Sequence, residues 1–406
     1  MLRISLIFVL FTALAAPLAA QVGLPGVQVP RVGGVLGQAA DIAEETLDRT
    51  ARTARDLARN RLDMIDRLVR RNRDAIALDA RGEPARQGEL LLIDAGANEI
   101  ATATTAGFAE IETVEVAELG MSVTRLRVPS GSDIADAERT LTQLLPSATI
   151  APDNLHFQAG DAGGMPLGFA AAGSGTHGAA VGMIDGAPGK SVPVASTRGF
   201  AQGAPYPSHH GSAVASLLAS QHTGPIRVAD VYGTDKAGGN ALAIARGLGW
   251  LIGEGSRVVT ISLVGPKNPV LERAIAAAGK RGVLVVAAVG NDGPAAPPAY
   301  PASYDSVVAV TAVDGKRRAL IEAGRALHLD YAAPGADIRG LNAKGKRITL
   351  RGTSFAAPLV AARLANAIGW GRNWRNALDS EAEDLGKKGA DPVYGRGLLC
   401  GSCKGR

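Results

Sequence analysis

Apolar residues in the C-terminal part of the chain come in short unbroken runs, each followed by a stretch with helical spacing. Residues 179–184, 227–232, 258–263, 283–289 and 306–313 read as strands, and 210–220, 240–253 and 270–281 as helices. Strands that lack polar alternation are buried on both faces. Alternating with helices, they predict an α/β fold with a doubly wound, mostly parallel sheet. Catalytic groups in such sheets gather at the carboxyl ends of the strands.

Residues 89–157 carry a different pattern: strand, helix, two strands, helix, strand. Leu90, Leu91, Leu92 and Ile93 form a short apolar strand, and 108–114 and 121–128 alternate, with a turn at Leu119-Gly120. Ser132 is placed to cap a helix carrying Ile134, Ala137, Leu141, Leu144 and Leu145, which Pro146 ends. This order suits an α+β, ferredoxin-like module. Before it, residues 39–78 predict an N-terminal helical segment with Leu47, Ala54, Leu57, Leu62, Ile65, Leu68 and Val69 on one face. Arg70, Arg71 and Arg73 bunch near its end, and Arg81-Gly82-Glu83-Pro84 breaks it. A packing helix with a solvated face is the simpler reading; a membrane- or partner-docking helix is the alternative.

Composition narrows the class. With 46% hydrophobic and 20% charged residues the chain is globular, and its 51 glycines with 4% aromatics suit closely approaching backbones. A net charge of +5 over 406 residues, without a concentrated patch, gives no reason to expect nucleic acid. Met1 to Ala20 reads as a secretory signal, with Arg3, an apolar stretch and a small-residue exit. A membrane anchor competes, but the apolar run is short and no second one follows, so no transmembrane span is expected after signal removal. Cys400 and Cys403 suggest a local disulfide or two free thiols.

The candidate chemistry lies at strand ends and turns. In Gly352-Thr353-Ser354-Phe355-Ala356-Ala357-Pro358 a small-residue turn presents the Ser354 hydroxyl at the start of a buried helix, whose N-terminus suits a developing oxyanion. Asp185 closes the strand Ala180-Val181-Gly182-Met183-Ile184, where a carboxylate can orient an imidazole. His210 opens a helix, followed by Gly211, which lets backbone pass close; neighbouring His209 lacks that register. Asn291, in Val289-Gly290-Asn291-Asp292-Gly293, can donate to an oxyanion. Gly173 to Gly178 fits a dinucleotide fingerprint but precedes a strand, and neither Gly-x-Ser-x-Gly nor His-Glu-x-x-His occurs.

Together these segments resemble the subtilisin-like serine peptidases, in the order Asp, His, Asn, Ser, from Ala179 to Leu399. Ile261 to Pro266, Tyr300-Pro301-Ala302, Ala332-Ala333-Pro334-Gly335 and Tyr394-Gly395-Arg396-Gly397 add to the likeness. The resemblance implies Ser354 as nucleophile, His210 as general base and acid, and Asp185 as orienter. It further implies an oxyanion hole from Asn291 and the Ser354 N–H, and substrate binding by Ser262, Leu263, Val264, Gly265, Ala288 and Gly290. Polypeptides would be the substrates, no cofactor or metal would be required, and calcium stays open. The ferredoxin-like module would be the chain's own propeptide, an intramolecular inhibitor cut away between Leu155 and Gly175, making the protein a secreted or periplasmic zymogen.

The implied division is a signal at 1–20, a linker and helical segment at 21–85, the propeptide at 86–158, a processing region at 159–175, the catalytic domain at 176–399 and a tail at 400–406. Val264 and Ala299 stand where the family often has Gly. They suggest a reduced pocket for small or medium apolar side chains, while Asp292 at the rim would instead attract Lys or Arg. A catalytically silent scaffold that binds partners is the rival function.

Overall fold

The computed structural model describes residues 32–159, 178–222 and 224–403, with side chains from Arg52 onward. The expected signal at 1–20 and all but the first residue of the processing region lie outside the described residues. The chain divides into two compact units, Met1–Thr50 and Ala51–Arg406. Helix α1 (Val32–Arg71) supplies the described residues of the first unit and opens the second.

Helix α1 stops before the expected 78. Asn72 Nδ2 donates to Leu68 O at 3.0 Å, and the Asn72 carbonyl accepts from Ala75 N and Ile76 N, which turns the chain. Residues expected as the last helical turn instead form β1 (Ile76–Leu78), with Ile76 buried.

The α+β module follows as β2 (Pro84–Ile93), α2 (Ala97–Thr105), β3 (Ala109–Val116), β4 (Met121–Arg127), α3 (Ile134–Leu144) and β5 (Thr149–Asn154). Strands β5-β2-β4-β3 are hydrogen-bonded in that antiparallel order, with β1 added on β2, which is the ferredoxin-like arrangement. Asp133, not Ser132, caps α3, its side chain accepting from Asp136 N at 2.7 Å. The period of two explains the unbroken run in β2. Leu90 and Leu92 pack under α2 and α3 with Phe108, Leu126 and Leu141, while Leu91 and Ile93 join the cluster that includes residues 242–251 and 270–278.

The larger sheet and its helices begin with β7 (Val181–Asp185), β8 (Ser196–Gly199), α4 (His209–Gln221), β9 (Ile226–Asp230), α5 (Ala241–Gly253) and β10 (Val258–Ile261). With β6 (Phe157–Gln158), which directly follows β5, and β11 (Leu263–Val264) come α6 (Pro269–Lys280), β12 (Leu284–Ala288), β13 (Val307–Val313) and β14 (Tyr331–Pro334). The hairpin β15 (Ala336–Leu341) and β16 (Arg347–Arg351) precedes α7 (Ala357–Gly369) and α8 (Trp374–Glu381). Seven parallel strands run β14-β13-β12-β10-β7-β9-β8. Apolar residues of α4 and α7 cover one face, and those of α5 and α6 the other. The strand order reverses beside β7 and β10, which places a crevice at their carboxyl ends. Cys400 and Cys403 are joined as a disulfide.

The module's sheet sits on α5 and α6 through Val116, Leu119, Met121 and Val123. Gly249 of α5 permits this approach: a Cβ there would lie 2.4 Å from Val116 Cγ1. Gly249→Ala should therefore destabilise the Ser354→Ala chain by about 1–3 kcal/mol through overpacking, despite Ala being the better helix former. Adding Val116→Ala, which removes the obstructing methyl, should recover part of that loss. Thermal unfolding of the single and double variants checks both signs.

Candidate active site

Asp185 ends β7 beside the switch point and is fully buried. Its carboxylate accepts from Gly186 N at 2.7 Å, from Gln158 Nε2 at 3.1 Å, and from His210 Nδ1 at 2.9 and 3.1 Å. His210 lies in the first turn of α4, capped by Ser208, whose Oγ accepts from Gly211 N at 2.8 Å. The expected role of Gly211 is visible in the packing. A Cβ on it would lie 2.0 Å from Gly186 O, so only glycine lets α4 start this close to the end of β7. His209 points elsewhere, its Nδ1 accepting from Ala343 N. A carboxylate only accepts, so the His210 proton sits on Nδ1 and Nε2 keeps its lone pair. That Nε2 is buried without a hydrogen-bond partner.

Ser354 lies in a single 3-10 turn, Thr353–Phe355, just ahead of α7 instead of within the helix itself. Its Oγ donates to Ser262 O at 3.0 Å, and Ser262 Oγ donates to Ser354 O at 2.8 Å. The structure thus joins Asp185 to His210 by hydrogen bonds, while the Ser354 hydroxyl is turned to Ser262. Thr353 organises the neighbouring loop. Its N donates to Asn291 Oδ1 at 3.0 Å and its Oγ1 to Gly290 O at 3.1 Å. With Oδ1 held by the Thr353 N–H, the donor end of the Asn291 amide is left for another acceptor.

The chain's own residues 155–159 fill the crevice. Strand β6 pairs antiparallel with β11, Leu263 opposite Gln158 and Val264 opposite Phe157. Ala159 N donates to Ser262 O at 3.2 Å, and the Ala159 carbonyl accepts from Ser354 N at 2.9 Å. On the opposite edge His156 N donates to Gly239 O at 2.8 Å, Tyr232 Oη donates to His156 O at 2.7 Å, and Leu155 bridges to Asn240. The segment is therefore the middle strand of three. Sequence reasoning found the wall at Ser262 to Gly265 and missed the other at Tyr232, Gly239 and Asn240. Gly238-Gly239-Asn240 was the available signal, since paired glycines ahead of a helix cap mark close backbone approach.

Ala288 closes β12 and is buried. Gly290 has φ +87°, and a Cβ on it would lie 3.3 Å from Val264 Cγ1 and 3.7 Å from Ala299 Cβ. Beyond these residues a cavity of about 510 Å³ opens beside Ala159 and extends to Asp292, Arg61 and Met64. Among the described residues no three His, Cys, Asp or Glu side chains converge as metal ligands.

Two titratable side chains are buried where the segment and its module meet the larger, parallel-sheet part of the chain. The His156 ring is fully buried, neither nitrogen has a partner, and burial pushes it down to about 4. Gly265 makes room for that ring, since a Cβ there would fall 2.6 Å from its Cδ2. Asp153 accepts from Leu242 N at 3.0 Å in the first turn of α5 and faces Arg86 at 3.7 Å. Burial pushes it up to about 6, against the pull of Leu242 N–H and Arg86.

Residues 188–397 match the model of the Subtilase family. Subtilisin Savinase of Lederbergia lenta is 34% identical over 205 residues, which cover 47% of this chain and 75% of that protein. Minor extracellular protease Epr of Bacillus subtilis (strain 168) is 31% identical over 205 residues, spanning 32% of its length. The crystal structure of fervidolysin from Fervidobacterium pennivorans shares the fold, with a TM-score of 0.63 at 16% identity over 81% of this chain and 63% of that one.

The two buried groups titrate with opposite sign. A His held neutral at about 4 makes the closed state lose stability as pH falls from 6.5 towards 4. An Asp raised from 3.8 to about 6 makes the same state gain stability over much the same fall. Relative to the Ser354→Ala parent, Asp153→Asn should lose roughly 3 kcal/mol between pH 6.5 and 4, and His156→Leu should gain a similar amount. Unfolding midpoints measured across that range check the two signs.

Proposed function

The chain belongs to the subtilase family and is a serine endopeptidase, and on that premise we propose that Ser354 is its nucleophile, His210 its general base and Asp185 the orienting carboxylate. Asn291 and the Ser354 N–H form the oxyanion hole. The Ser354 hydroxyl turns from Ser262 O towards His210 Nε2, which takes its proton as Oγ attacks a peptide carbonyl. The oxyanion is held by the two donors. His210 returns the proton to the leaving amine as the C–N bond breaks, and water releases the acyl-enzyme by the same relay.

The protein is made as a zymogen that cuts itself between Ala159 and Gly160. One observation carries this reading: the Ala159 carbonyl accepts from the N–H of Ser354, the proposed nucleophile. Antiparallel pairing of β6 with β11 holds that carbonyl in register, as a peptide substrate would be held. The module from β1 to β5 then acts as the intramolecular inhibitor. Secretion to the periplasm or the medium is proposed from the leader-like residues 1–20. Among the described residues no helix is long and apolar enough to cross a membrane.

Wild type expressed beside Ser354→Ala tests this. The wild type should yield a fragment beginning at Gly160, and Ser354→Ala should remain whole. Identical cutting of both would assign maturation to another protease. No cutting, with no labelling of Ser354 by an acylating probe, would leave the silent scaffold. In the released enzyme, Asn291→Leu should lower kcat about 10²–10³-fold with little change in KM, read from steady-state peptide hydrolysis.

A further inference from the structure

Helix α1 has no part in the reaction just described, yet it reaches the crevice. Leu57 packs against the loop after β12, where a Cβ on Gly293 would lie 2.9 Å from Leu57 Cβ. One turn on, Arg61 is mostly buried and makes two ion pairs. Its Nη2 meets Glu83 Oε2 at 2.7 Å, and its Nε meets Asp292 Oδ2 at 3.3 Å. The first tie is to the propeptide side, since Glu83 immediately precedes β2. The second is to the catalytic domain, at the residue following Asn291.

Asp292 and Arg61 line the same cavity of about 510 Å³ that opens beside Ala159. The methyl of Ala159 is far too small to fill it. A guanidinium reaches it from α1 instead. Of the cavity's two other carboxylates, Glu83 pairs with Arg61, and Glu322 is already neutralised from strand β16: Arg351 Nε lies 2.7 Å from Oε1 and Nη2 2.8 Å from Oε2. That pair survives removal of everything before Gly160. Asp292 does not keep its partner, because Arg61 leaves with α1, and Glu83 leaves too. The Asp292 carboxylate is then left in a cavity walled in part by Val264, Pro297, Pro298 and Ala299, having lost its ion pair with Arg61, while Arg351, the cavity's other cation among the described residues, stays engaged by Glu322. In the precursor, burial pushes its carboxyl up, Arg61 pulls it down and Glu83 adds to the rise.

We propose that Asp292 is the residue by which the mature enzyme selects a basic side chain immediately before the bond it cuts, and that Arg61 holds that position in the precursor. The proposal rests on the peptidase reading above and adds its substrate class: polypeptides cut after Arg or Lys. Of the two preferences that the sequence leaves open, for small apolar side chains or for basic ones, the geometry points to the second. Val264 and Ala299 narrow the space next to Gly290, but the cavity continues past them to a carboxylate that already binds a guanidinium. The same contact makes α1 a latch, since a substrate side chain and Arg61 compete for one carboxylate.

The test uses the mature enzyme released from the full-length chain and peptides of sequence His-Phe-Gln-X-Gly with X as Arg, Lys, Ala or Leu. The wild type should show kcat/KM for Arg and Lys about tenfold or more above Ala, the worth of a hydrogen bond to a charged group. In Asp292→Asn the ratio of Arg to Ala should collapse towards one. In the precursor, Arg61→Ala should shorten the lag between cutting at Ala159 and the appearance of free activity, and Arg61→Lys should restore it. An Arg to Ala ratio near one in the wild type, or a ratio that Asp292→Asn leaves unchanged, overturns the proposal while the peptidase reading stands. Failure to cut any of the four peptides, with Ser354 unlabelled by an acylating probe, overturns both.

Discussion

Everything in this molecule is arranged around one strand pairing, in which residues 157–159 add antiparallel to Ser262 to Val264 at the carboxyl end of the parallel sheet. A parallel sheet leaves its unpaired backbone groups at strand ends where the order reverses, and here those groups take a peptide. Two neighbours fix the geometry. Gly211 allows α4 to begin against Gly186, which seats His210 on Asp185. Thr353 ties Gly290 and Asn291 to the turn that carries Ser354. The pairing thus brings a main-chain carbonyl to the Ser354 N–H through main-chain hydrogen bonds, to which the Gln158 side chain adds its bond to Asp185.

The surrounding interfaces hold that strand in place by different physics. On α5 and α6 the contact is apolar and close, made possible by small residues such as Gly249. Nearer the crevice it is polar and buried. Asn268 Nδ2 donates to Pro152 O and to Asn154 Oδ1, and Arg86 Nη2 meets Asp235 at 2.6 Å. Apolar area supplies most of the attraction, and the buried polar contacts fix register, because an unsatisfied group there costs more than a satisfied one contributes. At the cleft mouth the tie becomes ionic through Arg61, the kind of bond that a charged competitor can replace.

Much of this was legible in the sequence, for identifiable reasons. Strands buried on both faces write themselves as unbroken apolar runs, so β10, β12 and β13 fall within the expected ranges and β7 runs one residue past its own, to Asp185. Asp185, His210, Asn291 and Ser354 lie at strand ends and turns flanked by small residues, a local signature that survives without neighbours in view. Element ends were less legible. Helix α1 ends at Arg71 because Asn72 caps it, although the apolar spacing continues through Ile76. Asp133 displaced Ser132 as a cap because the Asp side chain reaches the third N–H of the helix. The meeting of Arg61 with Glu83 and Asp292 was not legible at all. It joins a helix face, a turn and a strand end far apart in the chain, and although Asp292 reads as a rim charge that would attract Lys or Arg, nothing in the sequence pairs it with Arg61.

The most direct test of the central claim is whether the cut after Ala159 occurs within one molecule. Wild-type chain refolded from denaturant across a wide dilution series would be followed by the mass of the fragment beginning at Gly160. A chain that carries its own Ala159 carbonyl on the Ser354 N–H should be cut with a first-order rate independent of concentration. A rate that rises in proportion to concentration, or a first cut at another bond, would contradict the account.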